Sequence, residues 1–177
     1  EYIQRIYKNR LSAKAISKLL LSVCDNLYAN EPGDDTTIVA INIKNPVKLT
    51  VMVGPPVDPG RDKEIVGRFI AFEGKKVVCG GTTSQIVART LGREIRASLD
   101  YQNPAVPPTA EIDGISLTTE GVLTLRKALE YIKACESSES TMQDFLNLNK
   151  KDGASRLARM LLEEGTDIHF IVGRAMN

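Results

Sequence analysis

The sequence predicts an α/β fold: a small, mostly parallel sheet with helices on both faces, preceded by a separate helix and strand. Three observations carry this expectation. Beyond residue 47, short β-branched or apolar runs alternate with segments whose apolar residues recur at helical spacing. That alternation is the mark of a parallel sheet covered by helices and wound right-handedly. Some runs are continuously apolar, such as Val77-Val78-Cys79, which suits a strand buried on both faces. And the runs end repeatedly in glycine, proline or threonine, which gathers special residues along one edge of the sheet.

The elements follow in order. Residues 1–10 carry Tyr2, Ile3, Ile6 and Tyr7 at helical spacing and read as a short helix or a frayed terminus. Ser12 can cap a stronger helix over 13–28, where Ile16, Leu19, Leu20, Val23, Cys24 and Leu27 make one apolar face. Asn30-Glu31-Pro32-Gly33 stops it. Residues 36–43, Thr-Thr-Ile-Val-Ala-Ile-Asn-Ile, read as a strand, which Asn45-Pro46 breaks. Strands are then expected at 48–53, 76–79, 112–118 and 167–172, with a sparser pattern at 93–99. Helices are expected at 63–73 with Asp62 as cap, after Gly80-Gly81, at 122–134, within 141–148, and at 153–164 between Asp152 and Gly165. Residues 100–109, with Pro104, Pro107 and Pro108, read as a surface loop.

The chain is organised around residues 75–89, a short strand, a double-glycine turn and a helix. Gly80 and Gly81 lack Cβ atoms, so another group can approach the backbone closely. Thr82, Thr83 and Ser84 offer an N-cap and hydroxyl donors where the helix begins. Free N–H groups and the positive dipole end make such a start an anion site. Gly54-Pro55-Pro56, Thr118-Thr119-Glu120-Gly121 and Gly173-Arg174 mark three more strand ends. In a parallel sheet all four share the edge where ligands bind. The expected pocket takes a small anionic ligand through Gly80, Gly81, Thr82, Thr83, Ser84, Glu120 and Arg174. A tight capped turn with nothing bound uses the same residue types.

Other groups carry less. Arg61 lies at a strand end, where a solvated loop charge is more ordinary than a ligand contact. Cys79 abuts a helix start, which lowers a thiol pKa, yet a packing cysteine fits the same place. His169, the only histidine, sits inside a strand without neighbours for a catalytic set, and leaves a Cys/His zinc site unsupported. Gly-Gly-Thr-Thr-Ser lacks the Gly-Lys-Ser/Thr of a Walker loop. A net charge of +1 supplies no basic field, so no nucleic-acid partner is expected. No apolar run approaches the roughly 20 residues that span a bilayer, so no membrane partner is expected either. Cys24, Cys79 and Cys135 are odd in number and widely spaced, which favours free thiols and a cytoplasmic setting. The chain lacks a starting Met and reads as a fragment.

Gly33-Asp34-Asp35-Thr36-Thr37-Ile38-Val39 sets two carboxylates at the mouth of a strand. Such a pair suits a hard cation such as Mn²⁺ or Mg²⁺ but cannot complete an octahedral shell. With the helix before it, this stretch resembles the last helix and strand of the metal-dependent serine/threonine phosphatases, in particular the bacterial sporulation-stage-II-E-type branch. That family closes on Asp-(Asn/Asp)-x-(Thr/Ser), whose first Asp binds one of two catalytic Mn²⁺ or Mg²⁺ ions. The resemblance implies that role for Asp34, with Asp35 next and Thr37 at the hydroxyl position. From about Val47, Gly-Gly-Thr-Thr-Ser-Gln-Ile-Val-Ala-Arg and Ile-Asp-Gly-Ile-Ser-Leu-Thr-Thr-Glu-Gly-Val-Leu-Thr-Leu are similar to a carboxy-terminal extension of some such phosphatases in anaerobic bacteria.

The resemblance divides the chain into a phosphatase remnant, residues 1–45, and a Rossmann-like extension, residues 46–177. The family's other metal-binding Asp residues and Gly-rich amino-terminal motifs are absent from this sequence. Two-metal catalysis needs both ions held, so this polypeptide alone is expected neither to hold the metal nor to act as a phosphatase. The expected role is a regulatory, ligand-sensing domain of such an enzyme. Its partners would be the phosphatase domain, a small anionic ligand and a second copy in a homodimer. The alternatives are a structural or dimerisation module, and a small-molecule enzyme working at the same pocket, for which no nucleophile–base pair emerges.

Overall fold

The computed structural model describes residues 11–29, 31, 33–98 and 103–175. Its helices are α1 (Ala13–Leu27), α2 (Asp62–Ala71), α3 (Gly81–Leu91), α4 (Val122–Glu136), α5 (Met142–Asn147) and α6 (Gly153–Arg159), the last widening into a π-helical turn over Met160–Glu164. Its strands are β1 (Lys48–Val53), β2 (Lys75–Cys79), β3 (Arg96–Ala97), β4 (Ala110–Glu111), β5 (Leu117–Thr119) and β6 (Asp167–Val172). They form one sheet in the order β3-β4-β5-β2-β1-β6. The four strands β5, β2, β1 and β6 run parallel, and β4 and β3 add an antiparallel margin. This is the mostly parallel α/β sheet that the alternation predicts.

Side chains leave successive strand residues on opposite faces, and this alternation splits the core in two. Leu49 and Val51 of β1, with Val77 and Cys79 of β2, pack with Ala128 and Tyr131 of α4, Phe145 of α5 and Leu157 of α6. Met52 and Val78 face the other way, onto Val66 and Phe69 of α2 and Ile86 and Val87 of α3. Helices therefore cover both faces. The helices following β1 and β2 lie on one face, and the helix following β5 lies on the other.

Helix α1 belongs to the first of these cores. Ser12 Oγ accepts the Ala15 N–H at 3.3 Å, as the cap expected there. Ala15 and Leu19 are buried. Lys18 Nζ donates to Cys135 O at 3.3 Å, Ser137 O at 2.5 Å and Ser140 Oγ at 3.1 Å, and so satisfies carbonyls freed at the end of α4. The helix that the resemblance assigns to a phosphatase remnant thus packs on the 46–177 unit.

Several expected elements form differently. Residues 36–43 are not a strand: they run without regular structure, with Val39, Ile41 and Ile43 exposed. Their β-branched composition expresses itself as a strand only beside a partner strand, and none adjoins them among the described residues. The expected strand at 112–118 is broken by Gly114, whose φ of +75° belongs to a turn. The chain pairs there as the β4–β5 hairpin, with Ala110 opposite Thr118. Of the strand expected at 93–99, the described residues 93–98 supply only the two-residue β3. Asp62 is not a cap. It is the first residue of α2, nearly buried, and its carboxylate binds Arg89 at 2.9 Å. The helix expected over 1–10 lies outside the described residues, as does part of the 100–109 loop.

One polar cluster closes the amino edge of the sheet. Glu164 accepts from Lys75 Nζ at 2.6 Å and from Arg159 Nε at 2.9 Å. Burial pushes the Glu164 carboxyl up, but Lys75 and Arg159 together outweigh it and hold its pKa below the usual carboxylate range. A folded-state pKa that is depressed contributes stability above the unfolded value, and that stability is lost as pH falls through the folded value. We therefore expect the urea midpoint to drop below about pH 4, the ordinary glutamate range. Glu164→Gln should shrink that drop and lower the midpoint at pH 7. An unchanged acid limb in the variant would remove Glu164 from the account.

Candidate functional site

Adjacent strands β2 and β5 send their following helices to opposite faces of the sheet, which opens a crevice at their carboxyl ends. A cleft of about 450 Å³ lies there. Gly54 and Pro55 after β1, Gly80, Gly81, Thr82 and Thr83 after β2, and Glu120 and Gly121 after β5 line it. Val122, Leu123 and Leu125 of α4 form an apolar wall with Val53.

The local sequence explains the openness. Gly80 is the residue before α3 and has φ +119°, where an L side chain is strained. Gly121 is the residue before α4. Neither glycine can cap its helix with a side chain, and no other side chain among the described residues does so. The first helical amides, Gly81, Thr82 and Thr83 in α3 and Val122, Leu123 and Thr124 in α4, therefore have no partner among the described residues; intrahelical bonding begins with Ser84 N to Gly80 O at 2.9 Å and Leu125 N to Gly121 O at 3.1 Å. The two starts are close: a Cβ on Gly121 would stand 3.5 Å from Gly80 Cα. Two positive helix ends thus meet at one cleft.

A third feature points the same way. Thr83 is 1% exposed, and its Oγ1 is buried without a hydrogen-bond partner among the described residues. That hydroxyl lies against the open side of Gly80, 3.0 Å from where a Cβ would stand, on the floor of the cleft. A buried unpaired hydroxyl costs free energy that a bound acceptor recovers.

Of the residues expected to contact a ligand, Gly80, Gly81, Thr82, Thr83 and Glu120 come together here. Ser84 and Arg174 do not line the cleft. Ser84 lies within α3 rather than capping it, and its hydroxyl donates back to Gly80 O at 2.8 Å. Arg174 follows Gly173, which packs backbone to backbone on Gly54 and Pro55; Gly173 N donates to Val53 O at 2.7 Å, and Arg174 leaves this seam exposed. Sequence reasoning placed Gly121 on this edge without naming it as a ligand contact, and missed Val122 and Leu123. The signal was present: Glu-Gly-Val-Leu-Thr-Leu starts a helix with no Ser, Thr, Asp or Asn at its cap.

Cys79 lines the cleft but is 1% exposed. Burial raises its thiol pKa, and a Thr119 hydrogen bond only partly offsets that. The activation expected from the helix end is therefore overridden by desolvation, and Cys79 is a packing residue. Arg61 pairs with Glu64 at 3.0 Å, outside the cleft. His169 stacks on Phe72 with 5.0 Å between ring centroids and faces Asp167 at 3.4 Å.

Asp34 and Asp35 stand exposed on a turn, where Asp34 Oδ1 accepts the Asp35 N–H at 2.8 Å. No group of three or more His, Cys, Asp or Glu side chains among the described residues is placed to hold a metal ion. Two exposed carboxylates on one turn do not fit a Mn²⁺ or Mg²⁺ shell.

A larger hollow of about 700 Å³ lies toward the amino ends of the strands. Its arginines are balanced by Glu94, Glu111 and Asp113, and all three are engaged: Arg93 with Asp113 O at 2.5 Å, Arg156 with Ser116 O at 3.2 Å and Arg96 with the Glu94 carboxylate at 4.0 Å. It has no uncapped helix start, and the carboxyl-end cleft is the stronger candidate. No described helix is long and apolar enough to cross a membrane. The chain matches no protein-family model, no curated protein and no solved structure.

Proposed function

We propose that this chain is a ligand-sensing α/β unit that seats a small anion in the carboxyl-end cleft. The observation that carries the reading is the meeting of two helix starts, α3 and α4, neither capped by a side chain, over a buried hydroxyl without a partner. Such amides and dipoles favour negative charge. In this proposal the unit is a cytoplasmic regulatory part of a metal-dependent serine/threonine phosphatase, with the catalytic domain as its partner; the resemblance of residues 13–43 and of the extension supports that reading. The three unpaired thiols fit that compartment.

A thermal-shift panel of carboxylates, phosphosugars and nucleotides tests the reading. At about one hundred times its dissociation constant, a ligand of the native state adds about 2.7 kcal/mol. In a chain of this size that is a rise of roughly 5–10 °C. A panel without one stabilising anion contradicts the proposal.

A second reading has its own observation. The segment 36–43 exposes Val39, Ile41 and Ile43 at 75%, 82% and 94%, and the edge strand β6 exposes Phe170 and Val172. Unpaired β-branched segments and open edges favour association, so a homodimer or a dock for the phosphatase domain is the alternative role.

A further inference from the structure

We propose that the ligand is a zwitterion of the amino-acid kind, with a carboxylate on the helix starts, an ammonium at Glu120 and an apolar side group on the α4 wall. This inference rests on the anion-binding reading of the same cleft and narrows its chemistry.

The argument begins with charge. Among the described residues that line the cleft, Glu120 is the only charged side chain, with no Lys or Arg beside it. Each helix start is worth roughly half a positive charge, so the two together offset about one negative charge. A single carboxylate matches that. A phosphate dianion exceeds it, and Glu120 would repel the excess. An ammonium on the ligand turns Glu120 from a repelling group into a partner, and cleft and ligand together come close to neutral. Charge-assisted hydrogen bonds of both kinds, amide to carboxylate and ammonium to carboxylate, are the stronger ones.

Shape supplies the second constraint. Val122 is 69% exposed and Leu123 is 58% exposed, though both belong to the cleft wall. With Val53, Pro55 and Leu125 they offer an apolar surface next to the polar floor. A ligand that covers this surface gains by removing it from water. A branched or aromatic side group does so, and a small polar anion does not. The buried Thr83 hydroxyl then donates to the carboxylate and finds the acceptor that the chain does not give it.

The test uses the chain as it stands. Calorimetric titrations compare L-leucine and L-phenylalanine with 4-methylpentanoate and 3-phenylpropanoate, which lack only the ammonium, and with inorganic phosphate. The amino acids should bind about tenfold tighter than their deaminated counterparts, the value of one hydrogen bond between charged groups. Glu120→Gln, at an exposed position, should cut that ratio to about twofold while the deaminated acids still bind. Phosphate should bind weakest. Equal binding of amino and deaminated acids by the wild-type chain, or tighter binding of phosphate, overturns the zwitterion while the anion site stands. An unchanged ratio in Glu120→Gln also overturns it. A chain that binds none of these probes overturns the zwitterion, and a simultaneous failure of the wider anion panel overturns the site.

Discussion

A Gly173→Ala chain should be less stable than the wild type by about 3 kcal/mol, the scale of a severe core overpacking. The glycine lies where the chain leaves β6 beside the end of β1, and a Cβ there would stand closer than 3.0 Å to the backbone oxygens of both Gly54 and Pro55. Neither oxygen belongs to a flexible side chain that could move aside. Gly54 itself has φ +77° and is held in this seam. The alanine must therefore part the ends of β1 and β6, which share six registered residue pairs. Urea unfolding measures the loss, and a variant within about 0.5 kcal/mol of wild type, the range of an ordinary surface change, would show that the seam tolerates a side chain.

Gly81→Trp should do the opposite: keep the fold and lose the ligand. No atom lies within 4 Å of where a Gly81 Cβ would stand, and its backbone is not in the left-handed region. Gly81 is exposed at the first turn of α3, so a side chain there grows into open space at the cleft mouth. The indole should cover the free amides and fill the site, abolishing the rise of about 5–10 °C expected of a saturating ligand. The melting point without ligand should move by less than about 2 °C, a change of about 0.5 kcal/mol. An undiminished response in the variant would place the anion away from these amides.

Most of the sheet was legible because its strands are self-sufficient signals. Val77-Val78-Cys79 is apolar on both faces, and the double glycine after it marks where the strand stops. The clustering of strand ends followed from parallel winding alone, and Gly54, Gly80, Gly121 and Gly173 do meet along one edge. What the sequence hid depends on contacts distant along the chain. The residues 36–43 carry every local mark of a strand, yet pairing is decided by a neighbour that local composition does not report. Arg174 follows a strand end as Glu120 does, but only the packing of Gly173 on Pro55 turns it away from the cleft. The Cys79 thiol was ambiguous for the same reason: a helix start lowers its pKa, burial raises it, and burial is a tertiary quantity. Glu120 was visible as a loop charge, while its isolation as the single charge of the cleft needed the whole lining.

The most direct measurement is an amide-resolved NMR titration of the wild-type chain with L-leucine and with 4-methylpentanoate. Amides that donate no bond in the free chain should move furthest downfield, at Gly81, Thr82, Thr83, Val122 and Leu123. Shifts confined to the arginine-lined hollow near Arg93 and Arg156, with the two helix starts unmoved, would contradict the account.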